Sequence, residues 1–154
     1  MAQRCEVDVV AVHAPNEAAA EKDIVICATA SRTPVFDGRV LAAGTHLNAI
    51  GSNVLTKAEI DDATLRRADA IVCDSIEQCR LEAGDFVAAL EEGIIEWSHM
   101  CELADVVTGR ETGRASTEDV TIFKSVGLAI EDVAVASVLL ERARQAGRGQ
   151  PFPG

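Results

Sequence analysis

D-I-V-I-C-A, residues Asp23 to Ala28, is a run of β-branched and small apolar residues that ends in the small polar segment Thr29-Ala30-Ser31. It reads as a buried strand. Working outward, Pro15 to Lys22 reads as a short helix with proline at its start, and Val7 to Val12 as an earlier strand, giving a first β-α-β unit. Downstream, His46 to Ile50 is a further strand and Asp61 to Ala68 a helix with acids in its first turn and Arg66-Arg67 near its end. Ala70 to Cys73 is another strand, and Ser75 to Glu82 and Asp85 to Glu92 are helices parted at Gly84. A helix is expected around His99 to Val107, a turn-rich stretch from Gly109 to Ser116, and a last strand at Val120 to Phe123. The longest helix runs from about Leu128 to Ala146, with Glu131 and Asp132 near its start, Arg142 and Arg144 near its end and Gly147 as its stop. Strands alternating with helices predict an α/β fold, a mostly parallel sheet flanked by helices with a long C-terminal helix.

The bulk properties narrow the function. A chain of 154 residues is one domain's worth, expected to span residues 1–147 with a loose tail at 148–154. Hydrophobic residues make up 48% and charged residues 25%, which is a globular composition. Twenty-five acids against 14 basic residues give a net charge of -11, which disfavours nucleic acid and anionic membrane surfaces as partners. Aromatic content of 3% leaves no platform for stacking bases. No run of apolar residues is long enough for a membrane span, and no secretory signal is seen. Five cysteines with no C-x-x-C pair fit a reducing, cytoplasmic setting. His13, His46 and His99 lack metal-ligand spacing, so no metal is expected, and the pairs Asp61-Asp62, Glu91-Glu92 and Glu131-Asp132 read as solvated helix charges.

In an open parallel sheet, ligands bind beyond the carboxyl ends of the strands. Three such ends carry small or polar residues: Ala28-Thr29-Ala30-Ser31, Gly51-Ser52-Asn53 and Asp74-Ser75. Small residues let a flat ligand approach the backbone, while hydroxyls and amides can hold ribose or carboxamide groups; the plainer reading is that they are ordinary turns.

The wording of three segments is more specific. D-I-V-I-C-A-T-A-S-R-T-P-V-F-D-G (Asp23–Gly38), G-T-H-L-N-A-I-G-S-N (Gly44–Asn53) and T-I-F-K-S-V-G-L-A-I-E-D-V-A (Thr121–Ala134) together resemble the ornithine cyclodeaminase/μ-crystallin family over nearly the whole chain. The resemblance implies a partial Rossmann-like fold: the second half of the family's NAD(P)-binding domain plus its returning C-terminal helix. The family's N-terminal substrate-binding and dimerisation domain and its Gly-rich turn have no counterpart, since the only G-x-G is Gly147-Arg148-Gly149 in the tail.

By the same resemblance, Thr29, Ala30 and Ser31 line a dinucleotide, Gly51 and Ser52 form the turn under the nicotinamide, and Lys124, Ser125 and Gly127 lie near its carboxamide. Asn53 stands where the family's cyclodeaminases carry a catalytic aspartate, and a neutral amide cannot act as a general base. The expected cofactor is therefore NAD or NADP. The expected activity leans toward an imine reductase or amino-acid dehydrogenase and away from a lyase, on an amino acid or cyclic imine. Unpaired sheet edges and an exposed apolar face on the long helix predict a homo-oligomer, a dimer or larger. The competing expectation is a truncated, non-catalytic interaction module that binds no dinucleotide.

Overall fold

The computed structural model describes residues 5–150 and Phe152. Helix α1 (Pro15–Ala19) starts on its proline, whose missing N–H costs nothing at that position. It leads into strand β1 (Ile24–Cys27), and β2 (His46–Ala49) follows after a 3-10 turn at Gly38–Val40. Helix α2 (Asp62–Arg66) is held at its start by Asp61, whose carboxylate accepts from the Thr64 N–H at 2.8 Å and from the Gly38 N–H at 3.2 Å. Gly38 packs so close that a Cβ there would sit 2.2 Å from the Thr64 nitrogen. Strand β3 (Ala70–Cys73) leads to α3 (Ile76–Glu82), capped by Ser75, and a 3-10 turn at Gly84–Phe86 runs into α4 (Val87–Glu91). Strand β4 (Met100–Glu102), α5 (Leu103–Val107), β5 (Thr121–Lys124) and the long α6 (Ala129–Gln145) complete the order.

The five strands form one sheet in the order β1-β2-β5-β3-β4, and every pairing is parallel. The register puts Cys27, Ala49, Lys124 and Cys73 level with one another across four strands. One face of the sheet is buried: Leu47, Ala49, Ile122 and Cys73 have no exposed surface and share a core with Leu65, Cys79, Phe86 and Ala89. Trp97 packs its ring edge-on to Phe86 at 5.9 Å and lies under the Arg80 guanidinium at 4.7 Å. The opposite face is open along β1 and β2, where Ile24 and Ile26 are each 62% exposed. Helix α6 buries no residue, and its Ile130, Val133, Leu139 and Leu140 all face outward.

Two expectations are corrected. Val7 to Val12 is not a strand: each of its residues is exposed, and β1 is bonded only to β2, so no first β-α-β unit forms. An extended apolar run becomes a strand only by pairing, and this one has no partner. The stretch His99 to Val107 is not one helix. Met100–Glu102 pairs in parallel with β3, and the helix begins only at Leu103. Tertiary pairing there overrides the local helical spacing.

Candidate functional site

Because all strands run the same way, their carboxyl ends share one edge, and the residues that follow them form a common rim. Three carboxylates tie that rim together from below. Glu59, wholly buried, accepts from the Thr29 N–H at 2.5 Å through Oε1 and from the Gly51 N–H at 2.7 Å through Oε2. One side chain thus holds the turn after β1 to the turn after β2. Gly51 must be glycine for this: a Cβ would lie 2.4 Å from the Thr29 carbonyl oxygen and 2.5 Å from both Glu59 oxygens.

The second carboxylate is Asp85. Its Oδ1 accepts from the Glu59 N–H at 2.5 Å and the Ile60 N–H at 3.3 Å, and its Oδ2 takes the Lys124 Nζ at 2.7 Å. Neither Asp85 nor Lys124 has exposed side-chain surface, and the ammonium also donates to the Ser52 carbonyl at 2.5 Å. Strand alternation explains the position. Lys124 lies on the covered face of β5, level with Ala49 and Cys73, so its charge needs an internal partner. Close by, burial first and then the Glu59 and Asp85 charges push the Cys27 thiol up to about 12.

Asp74 is the third. It follows β3 and accepts from the Ser125 hydroxyl at 2.7 Å, the Val126 N–H at 2.9 Å and the Gly127 N–H at 3.0 Å, fixing the turn after β5. Its other oxygen accepts from the Ser75 N–H at 2.8 Å at the start of α3. Among the described residues, no buried side-chain nitrogen or oxygen lacks a hydrogen-bond partner.

The residues singled out in the sequence fall on this rim in two layers. Thr29, Ala30, Asn53 and Gly127 are exposed, while Ser31, Gly51 and Ser125 are half-buried. Ser52 and Lys124 lie beneath them: the Ser52 hydroxyl donates to the Lys57 carbonyl at 2.8 Å, and the Lys124 ammonium is committed to Asp85 and Ser52. Glu59 and Asp85 were not singled out, for no motif marks them. The one clue is that Glu59 stands between apolar Ala58 and Ile60. No group of three or more His, Cys, Asp or Glu side chains converges as a metal site among the described residues.

A groove of about 340 Å³ lies on the other face of the sheet, between His46, Asn48, Phe123 and helix α5. There the His46 Nδ1 is 2.8 Å from the Thr121 hydroxyl, to which the Arg114 guanidinium also donates at 2.9 Å. Burial and the Arg114 charge hold the His46 imidazole below its ordinary value, against a smaller opposing contribution from Asn48.

The family model for ornithine cyclodeaminase/mu-crystallin proteins matches residues 1–147. A Δ1-pyrroline-2-carboxylate reductase of Bacillus cereus is 39% identical over 136 residues, 88% of this chain and 42% of the relative. The chain thus spans about two fifths of the length of the curated relatives it matches. Among solved structures, the Thermococcus litoralis Δ1-pyrroline-2-carboxylate reductase in complex with NADH and L-proline superposes with a TM-score of 0.88 at 35% identity, covering 98% of this chain and 47% of that one. An archaeal alanine dehydrogenase dimer with bound NAD gives 0.83 at 35% identity, covering 99% and 48%.

Proposed function

Since the chain belongs to the ornithine cyclodeaminase/mu-crystallin family, we propose that it forms the nicotinamide-facing part of the cofactor site of an NAD(P)-dependent oxidoreductase acting on an amino acid or a cyclic imine. The observation that carries this reading is the rim itself. Thr29, Gly51, Ser125 and Gly127 stand at the ends of three strands and are locked there by buried carboxylates. The donor set suits one end of a dinucleotide. The donors of Ser125 and Gly127 are engaged by Asp74 and the Thr29 N–H by Glu59, so the polar groups left to a ligand are those of Thr29-Ala30-Ser31 and the carbonyls of the turns, neutral groups that match ribose hydroxyls and a carboxamide better than a pyrophosphate.

When bound, the nicotinamide supplies or accepts the hydride. The chain's residues support that transfer by position. Gly51, without a Cβ, leaves the turn after β2 close to the turn after β1, and the Thr29-Ala30-Ser31 segment shapes the wall beside it. Lys124 acts from beneath, through Ser52 and Asp85, and touches no ligand. Asn53 offers an exposed neutral amide, able to orient a substrate or water but not to remove a proton, which favours reductase or dehydrogenase chemistry over cyclodeamination.

The domain is taken as residues 1–147. Helix α6 closes at Ala146, with Gly147 in the left-handed region at φ +63°, and the residues after it form the tail. A homo-oligomer in the cytoplasm is part of the same proposal, supported by the outward apolar residues of α6 and the bare face at Ile24 and Ile26. Those surfaces also favour a second reading, an interaction module without dinucleotide binding. Calorimetric titration of the purified chain with NAD(H) and NADP(H), run beside light scattering, separates the two. Saturable binding supports the oxidoreductase reading and directs a screen of cyclic imines, alanine, proline and ornithine; silence at millimolar cofactor supports the module.

A further inference from the structure

The chain places a wholly buried glutamate under two turns that are themselves at the surface. Thr29 is exposed and Gly51 half-buried, so water could satisfy their N–H groups without any protein partner. Burying a carboxylate to do it is costly, and the Glu59 N–H is in turn held by a second buried carboxylate, Asp85, whose own charge is met by Lys124. What the arrangement supplies that water could not is a fixed spacing. One planar carboxylate, gripping one N–H on each oxygen, sets the distance between the turn after β1 and the turn after β2. Lys124, donating to the Ser52 carbonyl, ties the second of these to β5.

We propose that Glu59 is a positioning residue for the dinucleotide. Its buried carboxylate holds the Thr29 and Gly51 turns in the geometry that receives the nicotinamide end, and the Asp85–Lys124 pair holds the Glu59 segment against the central strand. This inference rests on the cofactor reading above. A mere core residue would affect stability alone. A positioning residue affects cofactor affinity out of proportion to stability, because loosened turns must be reordered on binding.

The test is Glu59→Gln in the full chain. Glutamine keeps the size but offers one accepting oxygen; its NH2 group faces the second N–H, donor against donor. Amide hydrogen exchange at Thr29 or Gly51 should speed up about tenfold or more while Leu47 and Ile122 in the sheet stay unchanged. The Kd for NADH, read from the change in nicotinamide fluorescence, should rise about tenfold or more. Ile71→Val, a core trim on β3 away from both turns, should lower Tm and leave the Kd unchanged.

Glu59→Asp serves if the glutamine variant does not fold. It keeps the carboxylate but is too short to bridge both turns, so it too should weaken NADH binding. Unchanged exchange at both amides, or a Kd within about twofold of wild type despite faster exchange, overturns the proposal. A wild-type chain that binds neither NAD(H) nor NADP(H) instead overturns the cofactor reading, and with it this role; that failure is seen before any variant is made.

Discussion

Removing the Lys124 ammonium is the sharpest perturbation this fold permits. In Lys124→Met the stem is kept and the charge lost, leaving the buried Asp85 carboxylate without its cation. Breaking a buried pair by deleting one partner costs about 3–5 kcal/mol. The lost bond to the Ser52 carbonyl leaves a buried acceptor short and argues for the upper half of that range. For a chain of this size, at about 2–4 °C per kcal/mol, the drop in Tm is roughly 8–20 °C. Urea unfolding followed by Trp97 fluorescence is a suitable assay, because that ring packs on Phe86, the neighbour of Asp85. The partner variant Asp85→Asn keeps an oxygen for the Glu59 and Ile60 N–H groups while removing the charge. In the double variant neither charge is left facing an absent partner, so its loss should fall short of the sum of the singles by at least about 1 kcal/mol. Additive losses would refute the reasoning: they would mean that Lys124 and Asp85 are not a pair.

Gly38→Ala puts a Cβ 2.2 Å from the Thr64 nitrogen at the start of α2 and should cost about 1–3 kcal/mol in denaturant unfolding; a neutral result would mean that the turn is free to move. His46 has its pKa lowered by folding, so the folded state binds its proton less readily than the unfolded chain. Its contribution to stability is full above about 6.5, the ordinary value, and is lost as pH falls below that. Tm measured from pH 7.5 to 5 should therefore decline, and His46→Gln should flatten that part of the profile. Asp37, held at about 2 by its bonds to Arg39, titrates far below this window and leaves the comparison clean. In thiol titration with a chromogenic disulfide at pH 7.5, exposed Cys5 should react promptly. Cys27, Cys73 and Cys79, buried and with thiols pushed upward at Cys27 and Cys73, should react only on unfolding. Prompt reaction at Cys27 would contradict its burial under Glu59.

Four of the five strands were readable, three as short stretches rich in apolar residues (Ile24–Cys27, Ala70–Cys73 and Thr121–Lys124) and one, His46–Ala49, as an alternation of polar and apolar residues, each leading into polar or small residues. Pattern alone could not say which run finds a partner. Val7 to Val12 has the composition of a strand and no neighbour to bond, whereas Met100–Glu102 is too short to announce itself and exists because β3 offers an edge. The position of the rim was readable as well, since strand ends carrying Thr29, Gly51 and Ser125 follow from the order of segments. Its depth was not. Lys124 sits on a period-two pattern that points it inward, yet a lysine beside a rim reads as a ligand contact until Asp85, 39 residues away, is seen to meet it.

That separation accounts for the division between what the sequence discloses and what the structure adds. The turns are local and carry their chemistry in adjacent letters, so a motif can mark them. The side chains that fix them are drawn from elsewhere: Glu59 reaches Thr29 across 30 positions and Asp74 reaches Ser125 across 51. Each lies just outside a regular element, where a carboxylate usually means a cap or a solvated charge. Only the parallel register, by bringing Cys27, Ala49, Lys124 and Cys73 to one level, turns those scattered acids into a single layer beneath the strand ends. A substitution in that layer is expected to change the spacing of surface turns it never joins in sequence, and on the proposed cofactor reading Glu59 therefore ranks with Thr29 and Gly51.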